Sequence, residues 1–382
     1  MDQVTPLALS YDAVAVARRV AAAAATRAEA QDRDDGFPTE DVSDLGRLGL
    51  LAAPVPSLNG GAGLGEEPGA RKLATVLRLV GYGSLALGRL YEGHVNALQL
   101  IARYGAPEQR ERLFADARAG HLFGVWNTEP PENGLVLRAT EDGLRLDGVK
   151  TFASGAGYVT RALVTARRDG TPGTLMLVVP LKRGTRADLS GWQAQGMRAS
   201  ATGTLDFTGL PVGTEDLLGE PDAYFRQPAF TGGAWRFAAV QLGGIEAVFD
   251  AWRVHLVRTG RGADPHQLAR LGEGALALEG ARNWVRRGAE TASDAILPPG
   301  RLVACINLVR LGVERAGLDV LQLAQRSVGL QGFLRGHPLE RLSRDLATYL
   351  RQPAPDGALV GAAAEILNAE DIAGDLWGGA GP

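Results

Sequence analysis

Residues 144–155, Leu-Arg-Leu-Asp-Gly-Val-Lys-Thr-Phe-Ala-Ser-Gly, carry an aromatic and a hydroxyl side chain two positions apart. Apolar residues alternate with polar ones before the Asp147-Gly148 pair, which is typical of a type I′ turn, so the segment predicts a β-hairpin. On a strand, this spacing places the side chains of Phe152 and Ser154 on one face. An aromatic plane beside a hydroxyl donor suits a flat, hydrogen-bonding ring as a ligand, although many ordinary strands carry the same pair.

The composition limits the classes of protein to which the chain can belong. Its 382 residues are 45% hydrophobic, which is enough apolar material for two or three domains with their own cores. The formal net charge of −3 implies no broad basic surface, so nucleic acid is not expected as a partner. Cys305 is the only cysteine, which excludes disulfides within the chain, and the histidines lack metal-ligand spacing, so we expect no metal centre.

Hydrophobic periodicity divides the chain into three regions and a tail. We predict an N-terminal α-helical domain over 1–120, a middle β domain over 121–222, a C-terminal helical bundle over 223–367 and a flexible tail over 368–382. The start of the sequence lacks the pattern of a secretory signal. No apolar run reaches the ~18 residues of a membrane span, so we expect a cytoplasmic protein that does not enter a membrane.

The strands and helices that must position these side chains can be predicted individually. Alternating apolar residues predict strands at 136–140, 144–146, 162–166, 174–180 and 203–207, with Asp-Gly turns at 141–143, 147–148 and 168–170. Helical periodicity returns after Pro228 and predicts helices near 231–259, 265–292, 300–329 and 338–351, with a fifth after Pro355. The order of the regions is therefore helical, then β, then helical.

Several short segments, in order and at fitting distances, resemble one known family. They are Gly36-Phe-Pro-Thr-Glu, the Gly-Gly loop at 56–64, Tyr104-Gly-Ala-Pro, Asn127-Thr-Glu-Pro, 148–155, Gly196-Met-Arg-Ala-Ser-Ala-Thr, Trp235-Arg, Gly329-Leu-Gln-Gly-Phe and 337–345. Over about 36 to 350, this pattern resembles the acyl-CoA dehydrogenase family. The resemblance implies an α+β fold, mainly α, with an N-terminal helical domain, a central β-barrel domain and a C-terminal four-helix bundle.

The resemblance also implies that FAD is the cofactor and suggests which residues contact its ring. Phe152 would cover one face of the isoalloxazine, and the Ser154 hydroxyl would donate to its N5 atom. Trp126, Asn127 and Thr128 would form hydrogen bonds with the polar edge of the ring.

Family members bind the FAD diphosphate across a subunit interface, so the resemblance implies a homodimer or homotetramer. Arg258 lies in a stretch similar to the one that carries the family's diphosphate-binding arginine, but it is also consistent with a solvated helix charge. Arg326 stands where the family usually has glutamine, and arginine pairs with a diphosphate more strongly. Gly329 begins the segment that would reach the FAD of a neighbouring subunit.

The chain departs from the family at the catalytic base. The family places a glutamate at one of two positions, and these positions are occupied here by Pro353 and Trp235. The catalytic residue is therefore unknown, and Asp356 is the acid closest to the first position. The Asp-Gly pair there is also typical of a plain turn or a helix start.

Two further candidates, Glu92 and His94, lie on a helix that the family uses as the floor of its acyl pocket. At positions i and i+2 they do not share a helix face, so one of them is expected to enter the cavity. His94 also resembles a histidine of flavin monooxygenases with the same fold. Those enzymes carry a second histidine near the C-terminal helix, after the Arg-Asp pair, whereas this chain has no histidine beyond His337. A histidine whose hydrogen bonds are satisfied within the helical domain is the alternative.

The resemblance predicts an FAD-dependent oxidoreductase that desaturates an acyl thioester at the α,β bond, with hydride transfer to flavin N5. After Glu129-Pro130, however, the chain lacks the family's Gly-x-Gly-Ser-Asp loop, so the carrier could be CoA or a carrier protein, and the electron acceptor is open. The alternatives are a reduced-flavin-dependent monooxygenase of the same fold and a non-catalytic flavin- or acyl-binding protein.

Overall fold

The computed structural model describes residues 11–66 and 69–377, and of Thr171 only the backbone. The N-terminal region is helical, as predicted. Its helices are α1 (Ala13–Gln31), α2 (Thr39–Arg47), α3 (Ala70–Gly83), α4 (Leu85–Tyr104) and α5 (Pro107–Arg118). Asp12 caps α1 by accepting from the N–H groups of Val14 and Ala15, each at 3.1 Å, which satisfies two donors that have no partner inside the helix.

The middle region contains ten strands. They are β1 (Phe123–Trp126), β2 (Val136–Thr140), β3 (Gly143–Asp147), β4 (Val149–Ala153), β5 (Arg161–Arg168), β6 (Thr171–Pro180), β7 (Ala187–Asp188), β8 (Gly203–Asp206), β9 (Leu210–Val212) and β10 (Leu217–Leu218). Seven of them form one sheet in the order β10-β6-β5-β2-β3-β9, with β1 parallel to β5. The other three form a second sheet in the order β4-β8-β7. The predicted strands are all present.

The predicted hairpin at Asp147-Gly148 is wrong. Strand β3 pairs with β2 and β9, whereas β4 pairs with β8 in the other sheet. Gly148 has φ +113°, so the residue does need glycine, but the chain uses it to pass from one sheet to the other. The other two Asp-Gly turns do close antiparallel pairs, β2 with β3 and β5 with β6.

The C-terminal region is a bundle of long helices. They are α7 (Trp235–Arg258), α8 (Pro265–Thr291), α9 (Pro299–Val328), α10 (Pro338–Tyr349) and α11 (Pro355–Leu367), preceded by the short α6 (Ala229–Gly232). Helix α7 packs on α8 and α9 and also on α3, so it joins the bundle to the N-terminal helices. A Cβ at Gly243 would lie 2.0 Å from the Arg78 carbonyl oxygen, which shows that α7 and α3 cross with their backbones in contact.

The three regions share one continuous core, with Trp252 of α7, Tyr91 of α4 and Phe207 after β8 among its largest buried side chains. No helix in the described ranges is long and apolar enough to cross a membrane. In the predicted tail, Asp371 pairs with Arg301 and the Trp377 carbonyl accepts from Arg287 at 3.3 Å. The last five residues lie outside the described part of the chain.

Candidate functional site

Phe152 lies on the protein surface at an irregularity of β4. Its side chain is 65% exposed, although it carries one of the larger apolar groups of the chain. The pairing of β4 with β8 shifts register between Lys150 and Ala153, and Phe152 has φ +51°, a left-handed conformation that is strained for an aromatic residue. The two-residue alternation is broken here, because Lys150 is buried while Phe152 is exposed.

Ser154 follows the last residue of β4 and is half-buried beside Phe152. The prediction that both side chains lie on one face of a regular strand is therefore wrong in detail, since the strand ends at Ala153 after the bulge. The two residues are nevertheless adjacent at the surface, and no closed apolar interior surrounds the ring. It contacts Trp192 edge-on, with ring centroids 6.4 Å apart.

A row of hydroxyl groups leads to Ser154 from the loop that precedes β8. Ser200 Oγ and Thr202 Oγ1 are 2.7 Å apart, and Thr202 Oγ1 donates to Ser154 Oγ at 3.2 Å. Both Ser200 and Thr202 are buried. The Ser200 hydroxyl also donates to the Met197 carbonyl at 2.7 Å. With Thr202 donating to Ser154, the hydrogen of Ser154 is available to an acceptor outside the row. This role of Thr202 was not identified from the sequence.

The loop that carries Ser200 and Thr202 is fixed to the helical bundle. The N–H of Met197 donates to Asp345 Oδ1 on α10 at 2.7 Å, and Arg341 Nη1 contacts the other oxygen of this carboxylate at 3.1 Å. Burial raises the pKa of Asp345, and the arginine opposes that rise. The orientation of Ser154 thus depends on α10 through the loop.

Trp126, Asn127 and Thr128 lie at the end of β1, next to the turn that holds Ser154. The indole N–H of Trp126 donates to the Ser154 carbonyl at 3.0 Å, and the Thr151 N–H donates to the Thr128 carbonyl at 3.0 Å. The side chain of Thr128 is exposed, whereas the Asn127 side-chain oxygen points inward and accepts from Thr165 at 3.0 Å.

Lys150, which the sequence analysis did not single out, organises this corner of the sheets. Its buried ammonium donates to Glu129 Oε1 at 2.6 Å, to Thr165 Oγ1 at 2.9 Å and to the Asn127 carbonyl at 3.3 Å. Burial lowers the pKa of Lys150, and the adjacent Glu129 carboxylate partly opposes this effect. The lysine fixes the end of β1 against β4, so that Phe152, Ser154 and Thr128 form one surface. In the sequence, the feature that distinguishes Lys150 is a charged residue inside a strand, where burial requires a partner.

A polar cluster lies on α4, with Glu92 buried and its partners half-buried. Arg89 Nη1 donates to Glu92 Oε2 at 2.6 Å, and Asn96 donates to the other oxygen of Glu92. Arg236, at the start of α7, donates through Nε to Asn96 Oδ1 at 2.6 Å. Glu92 is 2% exposed, so both its oxygens are engaged inside the protein. Arg89 and Arg236 were not predicted as site residues, because 140 positions separate Arg236 from Asn96 in the sequence.

Two tyrosines lie close enough to Glu92 to respond to its charge. Burial is the main cause of a raised pKa in both, and the negative charge of Glu92 adds to it. The pKa of Tyr224 rises to about 12, and that of Tyr349 rises further. The hydroxyl of Tyr349 is buried and has no hydrogen-bond partner among the described residues. A buried donor of this kind favours an additional acceptor, such as water or a bound molecule.

His94 is fully buried, and its hydrogen bonds are satisfied within the protein. Nε2 lies 2.7 Å from the Leu51 carbonyl, and Nδ1 accepts from the Phe123 N–H at 3.1 Å. These partners fix the neutral form with the hydrogen on Nε2. Burial lowers the pKa of His94 to about 4. Both ring nitrogens are occupied by backbone groups, so of the two candidates on α4 it is Glu92 that belongs to the polar cluster.

The remaining candidate acid lies elsewhere. Asp356 is exposed in the first turn of α11, where an acidic residue favours helix formation, and Pro353 is exposed before this helix. Trp235 is the first residue of α7 and is 2% exposed. The helix-start interpretation therefore accounts for Asp356.

The predicted diphosphate residues lie together at one end of the bundle. Arg258 is the last residue of α7, and Arg326 lies in the last turn of α9. Both are exposed, and Gly329 ends α9 with φ +75°. The ends of these helices are adjacent, because Arg261 Nη1 donates to the Ser327 carbonyl at 3.2 Å.

A small cleft connects the Phe152 surface to the polar cluster. It is lined by Arg89, Gly93, Phe123, Trp126 and Ser154 and has a volume of about 10 Å³, which is room for one water-sized group. The arrangement combines an exposed aromatic ring, a hydroxyl with a free hydrogen and a charged group behind it. The exposed ring and the hydroxyl offer a surface to a planar heterocycle, and the cleft behind them admits a water-sized group.

Comparison with known proteins identifies two matching domain models. The N-terminal domain of acyl-CoA dehydrogenase matches residues 12–121, and the C-terminal domain of acyl-CoA dehydrogenase matches residues 224–350.

Similar proteins include enzymes with different activities. Dibenzothiophene monooxygenase of Rhodococcus erythropolis is 28% identical, with 90% of each chain covered. The short-chain specific acyl-CoA dehydrogenase of Bos taurus mitochondria is 28% identical and covers 82% of this chain and 79% of its own. The structure of TdsC from Paenibacillus sp. A11-2 with FMN and indole has a TM-score of 0.83 at 22% identity, covering 93% of this chain and 97% of that one. The fold and the two domain models agree, and the chain belongs to the acyl-CoA dehydrogenase family.

Proposed function

We propose that this protein is a flavin-dependent monooxygenase that uses reduced flavin and acts on a small organic molecule. Monooxygenation was the alternative to acyl-thioester desaturation in the interpretation of the sequence, and we now favour it. The family contains both kinds of enzyme, so the choice between them rests on the side chains of this chain.

The observation that carries the proposal is the lack of a free acid where desaturation needs one. That reaction requires a carboxylate to remove the α-proton of a thioester. The two positions that the resemblance assigns to this base hold Pro353 and Trp235. Glu92 is buried, but Arg89 and Asn96 occupy its two oxygens. Transfer of an oxygen atom from O₂ requires no such base.

The residues around Phe152 fit a flavin ring. An exposed aromatic side chain gives a stacking surface, and Ser154 offers a hydrogen to a ring nitrogen, as the resemblance implies. The exposed side chain of Thr128 is available to the polar edge, whereas the Asn127 carbonyl and side-chain oxygens already accept from Lys150 and Thr165. FAD remains our prediction for the form of the flavin, while the TdsC structure was determined with FMN.

The names of the relatives support the same reaction class. The relatives include dibenzothiophene monooxygenases and an amino sugar nitrososynthase of Streptomyces peucetius, which is 28% identical over 82% of each chain. Bound reduced flavin supplies two electrons, so that one oxygen atom of O₂ is transferred to the substrate and the other leaves as water. In this scheme Ser154 orients the ring, and the half-buried Arg89, which is paired with Glu92, lines the cleft.

The experiment combines the purified protein with a flavin reductase, NADH and a panel of small sulfur and nitrogen heterocycles under ¹⁸O₂. We expect a product that carries one ¹⁸O atom, formed only with the protein present. A parallel anaerobic titration with acyl thioesters of several chain lengths should leave the flavin oxidised.

Bleaching of the flavin by a thioester would instead establish the desaturase. Bound flavin without turnover of any kind would favour the non-catalytic alternative. A Ser154→Ala variant serves as the control, since it should retain the fold and lose most of the product formation.

A further inference from the structure

A second and larger cavity lies where α4, the start of α7 and the turn between α8 and α9 meet. Its volume is about 430 Å³, within the range of small-molecule pockets. The polar side chains that line it are Gln99, Arg103, Arg236, Ser293 and Asp294.

Arg236 joins this cavity to the polar cluster. Its Nε atom is held by Asn96, and Nη2 lies beside Gly233, where an added Cβ would be only 2.7 Å away. The absence of a side chain at Gly233 therefore leaves room for the guanidinium at the wall of the cavity. Burial lowers the pKa of Arg236 to about 10, and the nearby negative charge of Glu92 partly opposes this fall.

The charges around the cavity do not balance. In the cluster, Arg89 is paired with Glu92, whereas Arg236 is bonded to a neutral amide. Among the described lining residues, Asp294 is the single carboxylate, and its Oδ1 accepts from the N–H groups of Ile296 and Leu297, at 2.8 and 3.2 Å. Arg103 adds a second guanidinium at the exposed rim. The lining thus carries one positive charge more than Asp294 balances, and the nearest other carboxylate, Glu92, is shared with Arg89.

Trp235 forms part of the wall of the same cavity. Its ring faces the arginine, with the Arg236 guanidinium 5.8 Å from the ring centroid, which helps to hold the positive charge in place.

One face of α4 connects this cavity to the Phe152 surface. Arg89, Gly93, Asn96, Leu100 and Arg103 follow a spacing of four and three residues, so they lie in one row along the helix. The first two line the small cleft beside Ser154, and the last two line the larger cavity.

We propose that the 430 Å³ cavity binds a small organic anion, with the half-buried Arg236 as its counter-charge and Arg103 at the entrance. The inference rests on the proposed function only in taking this anion as the substrate of the monooxygenase. Binding itself requires no flavin and no turnover.

The test is isothermal titration calorimetry of the full-length protein with propane-1-sulfonate and with the uncharged propane-1-sulfonamide. We expect the sulfonate to bind at least about tenfold more tightly than the sulfonamide, a difference of ~1.4 kcal/mol. Arg236→Gln should weaken sulfonate binding by about tenfold or more, and Arg236→Lys should restore part of it.

Arg103→Gln tests the proposal separately, because Arg103 is exposed and its replacement does not threaten folding. It should weaken sulfonate binding several-fold. Arg315→Gln is the matched control, since Arg315 is 80% exposed on α9, away from the lining of the cavity, and pairs with Asp319. No sulfonate binding, equal affinity for the two compounds, or unchanged binding in both the Arg236 and Arg103 variants would overturn the proposal. Flavin content and ¹⁸O incorporation are measured in the same samples, so a failure of the monooxygenase proposal would be distinguished from a failure of anion binding.

Discussion

Phe152 combines an exposed ring with a backbone conformation that disfavours it. The left-handed φ of +51° costs about 1 kcal/mol for a non-glycine residue. Strain of this kind persists when the residue has a task that the surrounding structure enforces, and here the surrounding structure is the β4 bulge.

This strain allows a test that separates stability from binding. Phe152→Gly and Phe152→Ala both remove the ring, but only glycine relieves the backbone strain. We therefore expect the Phe152→Gly variant to be more stable than the Phe152→Ala variant by about 1 kcal/mol in urea unfolding. Both variants should bind flavin at least about tenfold more weakly than the wild type by fluorescence titration. Flavin affinity equal to that of the wild type in both variants would contradict the stacking role.

His94 gives a prediction on pH. Its pKa is about 4 in the folded protein and 6.5 in the unfolded reference, so the unfolded chain binds the proton more tightly. The contribution of neutral His94 to the free energy of unfolding is fully present above about pH 6.5 and is lost as the pH falls toward 4. His94→Gln can keep both hydrogen bonds without titrating. Between pH 7 and 5 we expect it to lose about 2 kcal/mol less unfolding free energy than the wild type. Equal losses would show that His94 is not the titrating group.

At the scale of elements, the loop between β7 and β8 is predicted to act through Thr202. Thr202→Val keeps the shape and removes the donor to Ser154, which should cost about 1 kcal/mol of stability. Flavin affinity and product formation should fall several-fold, and Thr202→Ser should restore both. A valine variant with normal flavin affinity would show that Ser154 needs no support from the loop.

The sequence predicted the elements better than their partners. The long helices of the bundle were evident from their 3.6-residue periodicity, because each buries one face over many turns. The Asp147-Gly148 pair indicated a turn correctly, but local turn chemistry cannot specify whether the next strand pairs back or enters another sheet. The Phe152 and Ser154 pair was recognised by residue type, whereas the bulge that exposes Phe152 depends on pairing with β8, about 50 residues later.

The candidate site shows the same limit. Glu92 and His94 were both candidates, and only contacts with distant residues separate them, since the Leu51 carbonyl and the Phe123 N–H occupy the histidine. Arg236 and Asn96 meet across 140 positions, so no local pattern could predict the cluster.

At the scale of the whole molecule, the end of the bundle that carries Arg258 and Arg326 also exposes large apolar side chains. Leu330 is 77% exposed, Phe333 55% and Val257 69%. Exposed apolar groups beside arginines are typical of subunit interfaces. We therefore expect a homodimer or homotetramer, as the family resemblance implies.

The two arginines lead to a prediction about the form of the flavin. FMN lacks the second phosphate and the adenosine of FAD, so only FAD needs a diphosphate site. The double variant Arg258→Gln/Arg326→Gln should weaken FAD binding by about tenfold and leave FMN binding unchanged. Mass spectrometry of the extracted flavin shows which form the wild type carries. If both forms bind the variant as they bind the wild type, these arginines do not contact the cofactor.

The row of side chains along α4 has a consequence for how such a protein can diversify. The ring-facing surface comes from β4 and the end of β1, whereas the row that links the two cavities belongs to a single helix. Substitutions at Asn96, Leu100 or Arg103 can therefore alter which molecules are accepted without disturbing the cofactor. Related proteins that keep the same prosthetic group could in this way evolve different substrate preferences through substitutions within a single helix of twenty residues.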